Sequence, residues 1–166
     1  MSEASVRKEG FDVFKSPSKG LMNKQQVFEE LARAMTKAPG KYEIVVGADS
    51  QLRRKNTSFV IAICFIHTGN GGTFYYQQFQ EPRISSLQQR IYTEATYAVS
   101  MASELREFFH ECHITVPIRI HYDIGENGPT MKFVKRLIHL AQMNNFEAFV
   151  KPDSYGASVV ADKFTK

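Results

Sequence analysis

The chain has 166 residues, a length that suits about one globular domain. Hydrophobic residues make up 43% and charged residues 23%, and this composition excludes a wholly disordered or collagen-like chain. The 21 Lys and Arg residues exceed the 17 Asp and Glu residues, giving a formal net charge of +4. This mildly basic balance permits a nucleic-acid partner without requiring one.

Neither a membrane span nor an export signal is visible. The longest apolar run, from Phe59 to Ile66, is much shorter than the roughly 20 residues that cross a bilayer. The first residues lack the apolar segment of a secretory signal. The cysteines Cys64 and Cys112 form neither a disulfide framework nor a C-x-x-C pair. We therefore expect a cytoplasmic protein that does not associate with membranes.

The first 20 residues are polar and contain Ser, Pro and Gly, which predicts a flexible N-terminal arm over residues 1–20. Leu21–Thr36 then has the pattern of a helix, because Val27, Leu31 and Met35 recur every four residues. We expect residues 21–166 to form a single domain that begins with this helix.

Three strands are predicted after that helix. The first is apolar on both faces at its centre, as is typical of a central strand in a covered sheet. The segment Thr68–Gly72 has the composition of a hairpin turn, so the strands on either side of it should pair antiparallel. The strands are expected at Tyr42–Asp49, Thr57–His67 and Thr73–Gln80.

The second half of the chain alternates helices and strands. A long helix capped by Ser85 or Ser86 should run to about His110, and the last helix should begin at Ala157. Together the elements predict an α/β fold with a five-stranded mixed sheet, three antiparallel strands followed by α/β units, and helices on both faces. The remaining elements are expected as a strand at Pro117–Asp123, a helix from Thr130 to Asn144 and a strand at Glu147–Lys151.

Two of the predicted strands end in an aspartate. Asp49 ends the first strand, and Asp123 ends the strand that starts at Pro117. Binding sites in sheets with parallel strands form outside the carboxyl ends of the strands, so these two acids are candidate metal ligands. The alternative is that each aspartate simply begins a turn, as this residue often does.

Glu94 stands out because of its position on the long helix. At 100° per residue it falls about 20° from Leu87, inside the apolar stripe that Ile91 and Ala98 also occupy. A buried carboxylate is costly unless it is paired with a cation. A divalent metal would meet that need, and an ion pair with an arginine such as Arg90 is the alternative.

The C-terminal segment contains two further acids, Asp153 and Asp162, and either could supply a fourth ligand. Three or four carboxylates from different elements suit Mg²⁺ or Mn²⁺, which prefer oxygen ligands. Two such ions can activate a water and stabilise the leaving oxygen in phosphodiester hydrolysis.

The order of these acids and elements resembles the ribonuclease H-like fold. Three motifs are similar to those of the YkuK-like family of bacterial ribonuclease H-like proteins: VGADSQ at 46–51, HYDIG at 121–125 and KPDSYGASVVADKFTK at 151–166. The resemblance covers roughly Val27 to Lys166. It implies a two-metal nuclease site in which the catalytic, metal-binding acids are Asp49, Glu94, Asp123 and Asp162, with Asp153 as the alternate for the last.

Two features differ from cellular ribonuclease H. Ser50 follows the first aspartate where a glycine is common, and no basic handle is inserted between the helices. The resemblance therefore does not extend to specificity for RNA–DNA hybrids.

Several polar and basic residues near these acids are candidates for binding a nucleic-acid substrate. The basic turn after Asp49 can contact phosphates, although a merely solvated turn is the alternative. The candidates are Gln51, Arg53, Arg54, Lys55 and Lys151.

The favoured hypothesis is a Mg²⁺- or Mn²⁺-dependent nuclease with a two-metal carboxylate site. One alternative is a catalytically silent nucleic-acid-binding or adaptor protein on the same fold. Another is a structural protein whose acids are salt-bridged. Fold alone does not decide among them.

Overall fold

The computed structural model describes residues 13–154. Its helices are α1 (Lys24–Lys37), α2 (Leu87–Glu111) and α3 (Val134–Met143), and a 3₁₀ turn at Met131–Phe133 precedes α3. Its strands are β1 (Val13–Ser16), β2 (Gly20–Asn23), β3 (Tyr42–Leu52), β4 (Asn56–His67), β5 (Gly71–Pro82), β6 (Ile118–Gly125) and β7 (Glu147–Lys151).

The strands form one mixed sheet in the order β2-β1-β5-β4-β3-β6-β7. Strands β3, β4 and β5 pair antiparallel, whereas β6 is parallel to β3 and β7 is parallel to β6. The prediction of a mixed α/β fold is confirmed. The predicted count of five strands is wrong, because the sheet has seven.

The two additional strands come from residues that the sequence pattern places in the N-terminal arm and at the start of the first helix. Strands β1 and β2 form a hairpin, and Lys15 of β1 pairs with Tyr76 of β5. Phe14 anchors the hairpin, since its side chain is fully buried. Gly20 has a φ of 76°, a conformation that glycine adopts without strain. Residues 13–16 and 20–23 therefore belong to the sheet, and residues 1–12 lie outside the described part of the chain.

The predicted hairpin between β4 and β5 is present. Gly69 and Gly71 have φ values of 85° and 88°, which glycine tolerates because it lacks a Cβ atom. The amide of Asn70 donates to the carbonyl of His67 across the turn. The pairing then continues without interruption from His67↔Gly71 to Asn56↔Pro82.

Helices α1 and α2 begin at side-chain caps, whereas α3 begins at Val134 without one, four residues after the predicted start at Thr130. Asn23 and Gln26 form a capping box at the start of α1. The Ser86 hydroxyl accepts a hydrogen bond of 3.2 Å from the Gln89 amide at the start of α2, as the sequence predicts. None of the described helices combines the length and the hydropathy needed to cross a bilayer.

The main core lies between the sheet and the helices. Alternate residues of each strand face it, because successive side chains point to opposite faces of a sheet. The three described helices all pack on this face, so within residues 13–154 the prediction of helices on both faces is wrong. The additional helix expected from Ala157 lies outside the described residues. The core includes Ile44 and Val46 of β3, Ile61 and Ile63 of β4, and Leu31, Leu105 and Leu137 of the helices.

Candidate functional site

Asp49 and Asp123 lie next to each other at one edge of the sheet. Strands β3 and β6 are parallel, and their last paired residues are Ala48 and Tyr122. Each aspartate is the residue that follows. Because neighbouring strands are only about 4.8 Å apart, this register puts the two acids at adjacent positions. The predicted strand ends at Asp49 and Asp123 are wrong, because β3 continues to Leu52 and β6 continues to Gly125, so both aspartates lie within their strands.

Glu94 reaches the same edge of the sheet from α2, which packs on β3. Its Oε1 atom accepts a hydrogen bond of 2.5 Å from the hydroxyl of Ser50. The amide of Ser50 donates to Oδ1 of Asp49 at 2.9 Å. Ser50 therefore holds two of the acids with its two donors. Arg90, the alternative partner for Glu94, donates instead to the carbonyls of Ile84 and Ser85.

The surroundings of Glu94 raise the pKa of its carboxyl group to about 8. Burial is the largest cause, because desolvation disfavours the charged form. The negative charges of Asp49 and Asp123 raise this pKa further, whereas the hydrogen bonds from Ser50 lower it. Asp49 and Asp123 are thus close enough for their charges to disfavour ionisation of Glu94.

Asp123 is balanced by a lysine rather than by a hydroxyl. The ammonium group of Lys151, on β7, lies 2.7 Å from Oδ1 of Asp123. The two groups form an ion pair. The Asp123 side chain is 21% exposed and that of Lys151 is 56% exposed, so solvent reaches the pair.

The acids do not form a ready-made metal centre. Within residues 13–154, no three His, Cys, Asp or Glu side chains are grouped closely enough to hold a metal ion. Glu94 is engaged by Ser50, and Asp123 is engaged by Lys151. The donor set is nevertheless chemically suited to Mg²⁺ or Mn²⁺, because it consists of carboxyl oxygens.

The two candidates for the fourth acid are placed differently. Asp153 lies in the turn after β7, where its amide donates to the carbonyl of Val150 and its side chain is exposed. Asp162 lies outside the described residues.

The basic turn lies between β3 and β4, at the end of β3 that carries Asp49. Arg53, Arg54 and Lys55 are all exposed. The guanidinium of Arg83 donates to the carbonyl of Arg53 at 3.2 Å and so adds a fourth positive charge to the turn. Gln51, at the end of β3, is half-buried and pairs with Ser58.

Sequence reasoning misses two contacts at this site. Ser50 replaces a common glycine, but that difference does not predict its hydrogen bond to Glu94. The apolar stripe of α2 is the available signal, because a glutamate in it needs a nearby donor. Lys151 is predicted as a substrate contact, and its ion pair with Asp123 has no counterpart in the sequence pattern. That pair depends on how β7 aligns with β6.

Comparisons with known proteins agree with this fold. The family model described as "Ribonuclease H-like" matches residues 26–166. The "Uncharacterized protein YkuK" of Bacillus subtilis (strain 168) is 30% identical over 169 residues, which cover 93% of this chain and 97% of that protein. No solved structure matches the chain.

Proposed function

The chain belongs to the ribonuclease H-like family, and we propose that it is a nuclease that hydrolyses phosphodiester bonds with the help of Mg²⁺ or Mn²⁺. One observation carries the proposal. Asp49 and Asp123 lie at neighbouring register positions of β3 and β6, and Ser50 contacts both Asp49 and Glu94 of α2. The charges of Asp49 and Asp123 raise the pKa of Glu94. Proteins seldom retain such repulsion without a cation or a proton to relieve it.

Asp49, Glu94 and Asp123 would hold the cations, with Asp162 as the fourth ligand or Asp153 as its alternate. Bound there, Mg²⁺ or Mn²⁺ would supply charge neutralisation at the phosphate and a more acidic water, and two ions would suit a displacement at phosphorus. The Ser50 hydroxyl orients Glu94, and its amide orients Asp49.

The same site has basic groups on two sides. The turn that contains Arg53, Arg54 and Lys55 follows β3, and Lys151 ends β7. Positive charges at these places would attract the phosphates of DNA or RNA and fix their position without reading sequence. Gln51 is the proposed neutral contact to the same substrate. The proposed role is that of a cytoplasmic protein that acts on nucleic acid.

A second candidate function is a nucleic-acid-binding or adaptor protein without turnover. It is favoured by the contacts of the acids, because Ser50 donates to Glu94 and Lys151 pairs with Asp123. The basic turn would serve this function equally well.

The experiment is a cleavage assay on single- and double-stranded DNA and RNA, with and without Mn²⁺. Asp49→Asn and Asp123→Asn should each lower a metal-dependent rate at least about 100-fold, the scale of losing a preorganised electrostatic group. Glu107→Gln removes an exposed carboxylate of α2 and serves as the control. Asp162→Asn and Asp153→Asn, tested alongside, identify the fourth acid.

Two results would contradict the nuclease. If the protein binds nucleic acid but the wild type cleaves none of these substrates, the adaptor function replaces it. If cleavage is metal-dependent yet insensitive to Asp49→Asn and Asp123→Asn, the activity belongs to another site.

A further inference from the structure

Lys151 forms an ion pair with Asp123, one of the acids that are proposed to hold a cation. It is the last residue of β7, and its ammonium group lies 2.7 Å from Oδ1 of Asp123. That oxygen is itself inaccessible to solvent. A positive group therefore lies against the acid that is proposed to hold a cation.

The alignment of β6 and β7 produces this contact. The two strands pair at His121↔Phe149 and again at Gly125↔Lys151, so β6 has two more residues than β7 between these points. Asp123 lies in the irregular stretch. Gly125 lets β7 approach closely, because a Cβ atom there would lie 3.2 Å from Cβ of Lys151. The lysine is thus brought beside Asp123 by the backbone.

A pocket of about 500 Å³ opens beside the pair. Asp123 and Lys151 both line it, as do Glu126, Asn127 and Thr130 of the segment after β6. Glu126 adds a second carboxylate to the wall. The long side chain of Lys151, which is 56% exposed, therefore borders open space and a second acidic residue.

We infer that Lys151 is a counter-ion that competes with the divalent cation for Asp123. This inference rests on the proposed function, since it requires a cation site at Asp123. An ammonium group and a divalent cation at the same carboxylate repel each other strongly. The lysine must therefore turn into the pocket when a cation binds, and there its charge faces an incoming phosphate. Lys151 is in this sense a positioning residue that keeps the acid neutralised until the cation arrives.

The test is Mn²⁺ binding to the full chain, measured by titration calorimetry without nucleic acid, so that the readout does not depend on activity. Lys151→Met removes the charge and keeps an aliphatic side chain, and it should bind Mn²⁺ about fivefold more tightly than the wild type. Lys41→Met removes an exposed charge next to the opposite end of β3 and should bind as the wild type does. Asp123→Asn should weaken binding.

Lys151→Arg keeps the positive charge and should bind no more tightly than the wild type, which separates charge from a general loosening of β7. Equal or weaker Mn²⁺ binding by Lys151→Met would overturn the role of Lys151. If Asp123→Asn still weakens binding in that case, the cation site and the proposed function stand. If neither the wild type nor Lys151→Met binds Mn²⁺, the cation site fails, and the inference fails with it.

Discussion

The two halves of the candidate site solve the same electrostatic problem differently. In the half built by β3 and α2, Glu94 is desolvated, and its carboxyl group is held by the Ser50 hydroxyl. In the half built by β6 and β7, Asp123 is held by the Lys151 ammonium group beside an open pocket. One half relieves negative charge with a proton and the other with a cation from the chain itself.

Because of this difference, the two halves should respond to different changes in solution conditions. A carboxylate whose pKa is raised by burial responds to pH, because protonation removes its cost. A carboxylate paired with a half-exposed lysine responds to competing cations and to salt. The two halves should therefore be separable by experiment although they share one edge of the sheet.

The largest expected effect concerns Glu94 and pH. Its pKa is about 8 in the folded protein and near 4.5 in the unfolded chain. Between these values the unfolded state loses its proton first, so the free energy of unfolding should fall as pH rises, by up to about 1.4 kcal/mol per pH unit. The protonated carboxyl stabilises the fold fully below about pH 4.5, and this contribution is lost as pH rises through about 8.

Glu94→Gln should remove this dependence, because an amide does not ionise and still accepts from Ser50. Thermal or urea unfolding in EDTA between pH 5 and pH 9 measures this dependence. The free energies of unfolding of the wild type and Glu94→Gln should diverge as pH rises, and the Gln variant should be the more stable protein above about pH 7. If the free energy of unfolding depends on pH in the same way for both proteins, the pKa of Glu94 is not raised by folding. Glu107→Gln, on the exposed face of α2, should follow the wild type.

Sequence reasoning locates the acids but not their partners. Asp49 and Asp123 can be singled out from the sequence because each directly follows apolar strand residues, and Glu94 because it falls in the apolar stripe of α2. The contact of Lys151 is not predictable, since it depends on two extra residues in β6 before Gly125.

The N-terminal hairpin escapes prediction for a related reason. Strands β1 and β2 have four residues each, too few for an alternating pattern to stand out. The pairing of β1 with β5 is a long-range contact that local composition does not encode. Periodicity therefore predicts the five strands β3 to β7, but it does not predict β1 and β2.

A smaller effect concerns the basic turn on the β3 side. Arg54→Ala with Lys55→Ala should weaken binding of single-stranded DNA or RNA and reduce the slope of log affinity against log salt by about one for each phosphate that the turn no longer neutralises. The matched control is Lys37→Ala with Lys41→Ala, which removes two exposed charges near the opposite end of β3. Fluorescence anisotropy across a salt series measures both. If log affinity falls with log salt at the same slope in both double variants, the turn does not contact phosphates and is merely solvated.

The smallest effect tests the spacing between β6 and β7. In Gly125→Ala the new methyl group would lie 3.2 Å from Cβ of Lys151, so the strands must separate by a few tenths of an ångström. The ion pair with Asp123 should then weaken, and Mn²⁺ should bind about twofold more tightly, a part of the gain that a partly exposed pair can give. The same substitution in a Lys151→Met background should give no further gain, because the competing charge is already absent. Calorimetric titration of the four proteins measures this coupling. An equal gain in both backgrounds would mean that the glycine acts on the cation site directly, and not through the lysine that it allows to approach.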